Sequence, residues 1–240
     1  MPSIENWQTQ SIRLTVFPSM EKVMEKLPGW EALVGDPPDQ ITQQPKTDIL
    51  EELGKFGKGS LSHRVIPGRV DWNYLPLISD QKMMVGLPEI GPFTEALEEF
   101  KPLMIKWLDQ CDALLRIAFG ANIFLPVDSH ENAYKFLDNH LKSVKIDPET
   151  SDFHYQINRK RPSKTLGEQL MINRLSKWRA IKFKLMVQEV EAVESFACAL
   201  EFDINNVPIE QTTIKKESLT DVFCELIDLG IEIASEGDIP

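Results

Sequence analysis

Residues 61–74 read LSHRVIPGRVDWNY, two runs in which apolar and polar side chains alternate around Pro67 and Gly68. Alternation with a period of two is typical of a strand with one buried face. The proline and glycine between the runs suit a two-residue turn. The sequence therefore predicts a β-hairpin at this point, and the rest of the fold can be read outward from it.

Pairing through this turn fixes which side chains of the two strands lie opposite each other. The register predicts these pairs: Val65 with Val70, His63 with Trp72, and Arg64 with Asp71. We expect the His63 ring to stack on Trp72 on the apolar face. Arg64 and Asp71 should form an ion pair on the opposite face, away from His63.

The segments before and after the hairpin alternate between strand and helix signals. Residues 11–17 read as a strand, and Ser19 can cap a helix that follows it. Residues 35–47 contain three prolines and read as a surface loop. Pro92 opens a second helix, and we expect Pro102 to kink or break it.

The second half of the chain repeats this order of elements. Residues 114–125 form a predicted strand or bent hairpin with Gly120 at the bend, followed by a helix capped by Ser129. Three more strands are predicted, at 153–158, 181–188 and 199–204. Ser218 then caps a last helix, whose apolar stripe is Leu219, Val222, Phe223, Leu226 and Ile227.

This succession predicts an α+β fold in which a mixed or antiparallel sheet packs against helices. Each half reads roughly as β-α-β-β-α, so we infer a degenerate tandem repeat of two α+β subdomains, residues 1–110 and 111–240, that share one sheet. A single continuous domain is the alternative. At 240 residues with 42% hydrophobic residues, the chain can bury a core in either arrangement.

Composition predicts a cytoplasmic location and no membrane association. The chain carries a net charge of −11, and its first residues lack the basic and apolar regions of a signal peptide. Its longest apolar region, residues 113–127, contains Arg116 and is too short to span a bilayer. Cys111, Cys198 and Cys224 are widely spaced, so we expect three buried thiols in a reducing compartment.

One segment departs from the acidic character of the chain. Residues 159–184, the basic segment, hold nine of the 26 Lys and Arg residues and a single acid, Glu168. A compact basic stretch on an acidic protein indicates where a polyanion or an acidic partner could bind. The predicted binding residues are Arg159, Lys160, Arg161, Lys164, Arg174, Lys177, Trp178 and Arg179.

Catalytic signatures are weak by comparison. The four histidines lack the spacing of a metal site, and residues 57–60 lack the length and following helix of a phosphate-binding loop. A nucleophile elbow and a dinucleotide fingerprint are also missing from the sequence. No metal or cofactor is therefore predicted, and only His63, Asp71 and His154 stand as weak candidates for an active site.

Three functional hypotheses follow from these observations. The first is a non-catalytic cytoplasmic interaction protein, a regulator or a subunit, that docks a protein partner or a second copy of itself through the basic segment. The second is a nucleic-acid-binding regulator whose basic residues contact phosphates while Trp178 stacks on a base. The third is an enzyme of an unfamiliar type.

Overall fold

The computed structural model of this protein describes residues 3–18, 27–77, 87–147, 149, 151–185, 193–207 and 213–239. The strands of the first half are β1 (Gln8–Pro18), β2 (Gln40–Gln44), β3 (Ile49–Phe56), β4 (Gly59–Ile66), β5 (Arg69–Pro76) and β6 (Gly91–Pro92). Those of the second half are β7 (Leu114–Val127), β8 (His154–Ser163), β9 (Gly167–Leu185) and β10 (Val193–Asn206). The helices are α1 (Trp30–Val34), α2 (Phe93–Leu108), α3 (His130–His140) and α4 (Lys216–Glu236).

These ten strands form one antiparallel sheet in the order β2-β3-β4-β5-β1-β7-β10-β9-β8, with the short β6 paired to β1. The prediction of a sheet packed with helices is confirmed, and its pairing is antiparallel at every described position. The helical share is modest, because 48% of the chain is strand and 28% is helix. The fold is therefore mostly sheet.

The four helices of the described residues all contact the same face of this sheet. Trp30 of α1 lies against Trp72 of β5, and the Phe100 ring of α2 stacks on Tyr74. In α3, the carbonyl group of Ala133 accepts a hydrogen bond from the Cys198 thiol. The Phe223 ring of α4 packs edge to face against Phe119 of β7. Since side chains alternate along a strand, the residues between these core positions lie on the opposite face.

The hairpin of residues 61–74 has the predicted register, with Val65 opposite Val70 and His63 opposite Trp72. The His63 and Trp72 rings are stacked with centroids 4.1 Å apart. The predicted ion pair is wrong, however, although Arg64 and Asp71 do lie opposite each other. Arg69 reaches the carboxylate of Asp71 within its own strand, at 2.8 Å.

The structure also bears on three other expectations from the sequence. The surface loop predicted at 35–47 contains the edge strand β2, whose residues are all exposed. Pro102 lies inside α2 without ending it. Its side of the helix is exposed, so water can bind the carbonyl group that proline leaves unpaired. Gly120 is at the centre of the unbroken strand β7, so the predicted long strand is confirmed and the alternative of a bent hairpin is wrong. Its neighbours in the sheet are Arg13 and Asp203.

Helix starts were predicted with mixed success. The Ser129 hydroxyl accepts the Asn132 N–H at 3.1 Å, so this cap is confirmed. The last helix starts at Lys216 with Lys215 as its N-cap, three residues before the predicted Ser218 cap. Its predicted apolar stripe is buried as expected. The helix predicted after Ser19 lies outside the described residues.

The two halves of the chain meet along β1 and β7, which pair over most of their length. In each half, the first strand pairs with the last long strand of the same half. β1 pairs with β5 in the first half, and β7 pairs with β10 in the second. Both halves therefore contribute to one continuous sheet. The division into subdomains at residue 110 stays a prediction.

Candidate binding face

Alternation along β8 and β9 divides the basic segment between the two faces of the sheet. Arg159, Arg161 and Arg174 lie on the helix side, where α4 and the residues after it supply carboxylates. Arg161 and Arg174 pair with Glu232 at 2.9 and 3.0 Å, and Arg159 lies 3.5 Å from Asp238. These three guanidinium groups therefore hold the end of the chain to the sheet.

The buried part of this cluster is densely bonded. Arg159 donates from Nε to the Asp238 carbonyl at 2.8 Å, and the Tyr155 hydroxyl donates to the Asp238 carboxylate at 2.8 Å. The Arg174 side chain is 2% exposed, and its burial lowers its pKa from the usual value. A guanidinium in this position is not accessible to a macromolecular partner.

Trp178 is also on the helix side and is fully buried. Its indole N–H donates to the Ser176 hydroxyl at 3.1 Å, and its ring meets Trp7 and His140 edge to face. This burial contradicts the expectation that Trp178 stacks on a base. It is a core residue that fixes β9 under α3.

The remaining predicted binding residues are accessible. Lys160 and Arg179 are exposed on the face opposite to the helices, and Lys177 on that face pairs with Glu201 at 2.7 Å. Lys164 is exposed in the turn between β8 and β9, where its backbone N–H donates to Glu225. The eight predicted binding residues are thus not brought together on one surface.

The uncovered side of the sheet brings together a different set of charges. We call this side the open face, because none of the described helices packs on it. Its basic residues are Arg13, Lys55, Arg64, Arg69, Arg116, Lys160, Lys177 and Arg179. Its acidic residues in the paired strands are Glu51, Asp71, Glu201 and Asp203. Basic residues outnumber acidic ones by two to one on a chain whose net charge is −11.

Ion pairs neutralise the centre of the open face. Arg13 on β1 crosses Gly120 on β7 and pairs with Asp203 on β10 at 2.7 Å. Gly120 leaves room for this crossing, since a Cβ there would lie 3.2 Å from the Arg13 Nη2 atom. The Thr15 hydroxyl donates to Asp71, the carboxylate that also binds Arg69.

The outer parts of the open face carry cations without acidic partners. Lys55 and Arg64 lie on β3 and β4, and Arg179 and Lys160 lie on β9 and β8. All four residues are exposed. Within the described part of the chain, none of them has an ion-pair partner, although Glu51 lies directly opposite Arg64 on the same face.

The three weak catalytic candidates are dispersed. His63 faces the helices, where its Nδ1 atom lies 2.7 Å from a Glu52 oxygen and this hydrogen bond lowers the pKa of Glu52. Asp71 lies on the open face, and His154 lies on β8. Five strand spacings separate β5 from β8 in the sheet order, about 24 Å. These residues cannot act on one substrate.

A cavity of about 450 Å³ lies between the β8–β9 turn and α4. Glu225 at its edge accepts hydrogen bonds from the Ser163 hydroxyl and from the backbone of Lys164 and Thr165. Although burial acts in the other direction, these bonds lower the pKa of Glu225. The carboxylate thus fixes the turn. Over the described residues, no group of three or more potential ligands could hold a metal ion.

Two of the three cysteines are held in an unreactive form. Cys111 and Cys198 are buried, and burial raises the pKa of each thiol to about 12. Cys224 is only partly buried, so the expectation of three buried thiols holds for two of them. Thiols held in the protonated form are poor nucleophiles, and the two buried ones belong to the core.

Comparison with known proteins returned no family model, no curated protein and no solved structure that matches this chain. Among the described helices, none is both long and apolar enough to cross a membrane. The open face therefore has to be interpreted from its own chemistry. The sequence pointed to only part of it, Lys160, Lys177 and Arg179. Arg13, Arg64, Arg69 and Arg116 were missed, although they occupy the polar positions of predicted strands.

Proposed function

We propose that this protein is a non-catalytic binding protein that holds an anionic macromolecule against the open face. The separation of charge between the two sides of the sheet supports this proposal most strongly. The chain is acidic overall, yet its open face has twice as many basic as acidic residues. The remaining surface therefore carries more negative charge than the chain as a whole.

An ordinary solvated sheet face would not need this arrangement. Antiparallel sheets often face water on one side, where mixed polar residues are sufficient. Here three of the four acids of the open face are ion-paired, Asp203 with Arg13, Asp71 with Arg69 and Glu201 with Lys177, whereas Glu51 on β3 only accepts a hydrogen bond from the Ser62 hydroxyl. The described basic residues of this face without an ion pair are five, Lys55, Arg64, Arg116, Lys160 and Arg179, and a complementary anionic surface would be attracted to this excess of positive charge.

Retention on immobilised dextran sulfate tests the proposal. We expect the wild-type protein to be retained at pH 7.5 and low salt despite its acidic character, and to elute as salt is raised. The double variant Arg64→Glu/Arg179→Glu should pass through the column. Lys135→Glu/Lys216→Glu changes the net charge equally at two exposed helix residues, and it should be retained like the wild type.

Two results would contradict the proposal. One is passage of the wild-type protein through the column at low salt. The other is equal retention of the two double variants, since this would mean that charge on the open face has no special role. Circular dichroism of each variant confirms that it is folded before retention is compared.

A further inference from the structure

We infer that a second copy of this chain pairs with the edge strand β2, so that two sheets join into one across a two-fold axis. The inference goes beyond the proposed function and does not depend on it. Among the described strands, β2 lies at one end of the sheet and pairs only with β3. All five of its residues are exposed, and Ile41, at 61%, is the most exposed large hydrophobic residue in the described part of the chain.

The backbone of β2 has hydrogen-bonding groups that point away from the sheet. Backbone groups of successive residues in a strand point to opposite sides. The Asp39 carboxylate, just before β2, accepts the Lys55 N–H at 2.9 Å, so the backbone groups of Lys55 point toward β2. Those of Glu51, four residues earlier, point the same way, toward Thr42. The two neighbours of Thr42 in β2 therefore direct their backbone groups outward, where another strand can bind them.

The two edges of the sheet differ in their protection against such pairing. Charged side chains and proline discourage the pairing of edge strands. The other edge strand, β8, contains Arg159-Lys160-Arg161-Pro162, whereas β2 reads QITQQ and has neither a charged residue nor a proline. Every other strand of more than two residues carries at least one charged side chain. The edge that is available for pairing is therefore β2.

The sequence of β2 is complementary to itself. Antiparallel pairing about Thr42 sets this residue opposite its own copy and sets Ile41 opposite Gln43 of the second copy. The outward-directed residues thus meet each other and exchange backbone hydrogen bonds. The two Ile41 side chains become diagonal neighbours and remove apolar surface from water. Two copies that each carry a net charge of −11 repel each other, and the uncharged β2 is where this repulsion is weakest.

An extended peptide from another protein is the alternative occupant of this edge. Proteins that bind a peptide as an added strand recognise its sequence through pockets for alternate side chains. The residues of β2 are all exposed, so they form no pocket that could select a foreign side chain. Pairing of two copies needs no pocket, because each copy supplies a matching strand. Since so short a strand buries little surface, we expect a reversible dimer with a dissociation constant between about 10 µM and 1 mM.

Sedimentation equilibrium of the full chain tests whether this dimer forms. With salt added to screen the net charge, the weight-average mass should rise from the monomer value toward twice that value between about 5 µM and 1 mM protein. Ile41→Lys should keep the protein monomeric, because it places two like charges side by side across the axis. Leu115→Lys makes the same change at an exposed residue of β7 and should dimerise like the wild type.

The variant Gln43→Pro tests the backbone pairing. The Gln43 N–H points outward, so proline removes a bond to the second copy without removing one within the chain. We expect this variant to fold, as judged by circular dichroism, and to stay monomeric. Hydrogen exchange of the wild type adds an internal control. The Ile41 and Gln43 amides should become protected as protein concentration rises, whereas the Thr42 amide bonds to β3 at every concentration.

A cysteine on the two-fold axis tests the register. In Thr42→Cys, the two Cα atoms of a non-hydrogen-bonded pair lie about 4.5 Å apart, which allows a disulfide. In the control Gln40→Cys, the two cysteines are roughly 14 Å apart and cannot be joined. Both variants carry Cys224→Ser, because the native thiol is only partly buried. Under mild oxidation, the first variant should form covalent dimers at least roughly ten-fold faster than the control.

Three results would overturn the inference. One is a wild-type protein that stays monomeric at every concentration, and another is a dimer that persists in both Ile41→Lys and Gln43→Pro. The third is equal cross-linking of the two cysteine variants, because it contradicts the register about Thr42. Gln43→Pro changes no charge, so its retention on dextran sulfate should equal that of the wild type. Failure of this inference is therefore distinct from failure of the proposed function.

Discussion

Arg174 and Arg179 lie five residues apart on β9, but the two faces of the sheet give them different roles. Arg174 faces the helices, is buried and pairs with Glu232 of α4. Arg179 faces away from them, is exposed and has no ion-pair partner within the described residues. A run of basic residues in a strand is therefore not one surface. Its alternate members belong to different environments, one structural and one available for binding.

The largest effect that separates the two faces should come from Trp178, the neighbour of Arg179 in the chain. We expect Trp178→Ala to lower the free energy of unfolding by about 4 kcal/mol, because it removes a fully buried ring from contact with Trp7 and His140. Urea denaturation followed by circular dichroism measures this change. A loss below 1 kcal/mol would mean that Trp178 is not part of the core.

A matched pair of arginine variants sharpens the comparison. Arg174→Ala should destabilise the protein by about 3 kcal/mol, because it leaves the partly buried Glu232 without one of its partners. Arg179→Ala should change stability by less than about 0.5 kcal/mol, as is usual for an exposed side chain. The same urea titrations serve for both. Equal losses would contradict the division of the basic segment between the two faces.

Acidification should also distinguish the faces. Burial lowers the pKa of His140 on the helix side, although the backbone of Ile233 and Ala234 opposes this effect. The unfolded chain therefore takes up a proton first, near pH 6.5, and stability falls as the pH drops below that value until His140 in the folded protein is protonated too. The contribution cannot exceed about 1.4 kcal/mol per pH unit.

The variant His140→Phe should lack this part of the pH dependence between pH 7 and 5. The exposed His154 on the open face supplies the control, since His154→Phe should keep the wild-type slope. Unfolding free energies from urea titrations at several pH values measure the difference. Identical slopes for wild type and His140→Phe would show that His140 does not cause it.

The smallest effect concerns the ion pair at the centre of the open face. Arg13 and Asp203 are 36% and 29% exposed, so their coupling should be about 0.5 kcal/mol and should decrease with added salt. A double-mutant cycle with Arg13→Ala and Asp203→Ala measures it. Coupling above 2 kcal/mol would mean that the open face is less accessible to water than we infer.

Local patterns predicted the elements of this fold better than their arrangement. The 61–74 hairpin followed from alternation and turn chemistry, and α4 followed from its apolar stripe. The strand β8 was recognised only up to Asn158, because the sequence Arg159-Lys160-Arg161-Pro162 resembles a loop in composition. The carboxylates that hold it in the sheet, Glu232 and Asp238, are more than seventy residues away along the chain. A local pattern contains no information about such partners.

The candidate binding face was predictable only in part. The polar positions of each strand could be read from the alternation, and these include Arg13 and Arg64. The uncovered side, however, depends on all four helices packing on the same face. This is a property of the tertiary structure. The sequence therefore predicted a binding role for Lys160 and Arg179, which are exposed. It predicted the same binding role for Arg174 and Trp178, which are buried.

The most direct test of the open face is covalent labelling of lysines, read by mass spectrometry, with and without dextran sulfate at low salt. Lys55 and Lys160 lie on the open face, and Lys135 and Lys216 lie on helices. All four are exposed and should react when the protein is alone. With the polyanion, Lys55 and Lys160 should be protected several-fold while the two helix lysines react as before. Equal labelling of all four, or protection of the helix pair, would contradict the account.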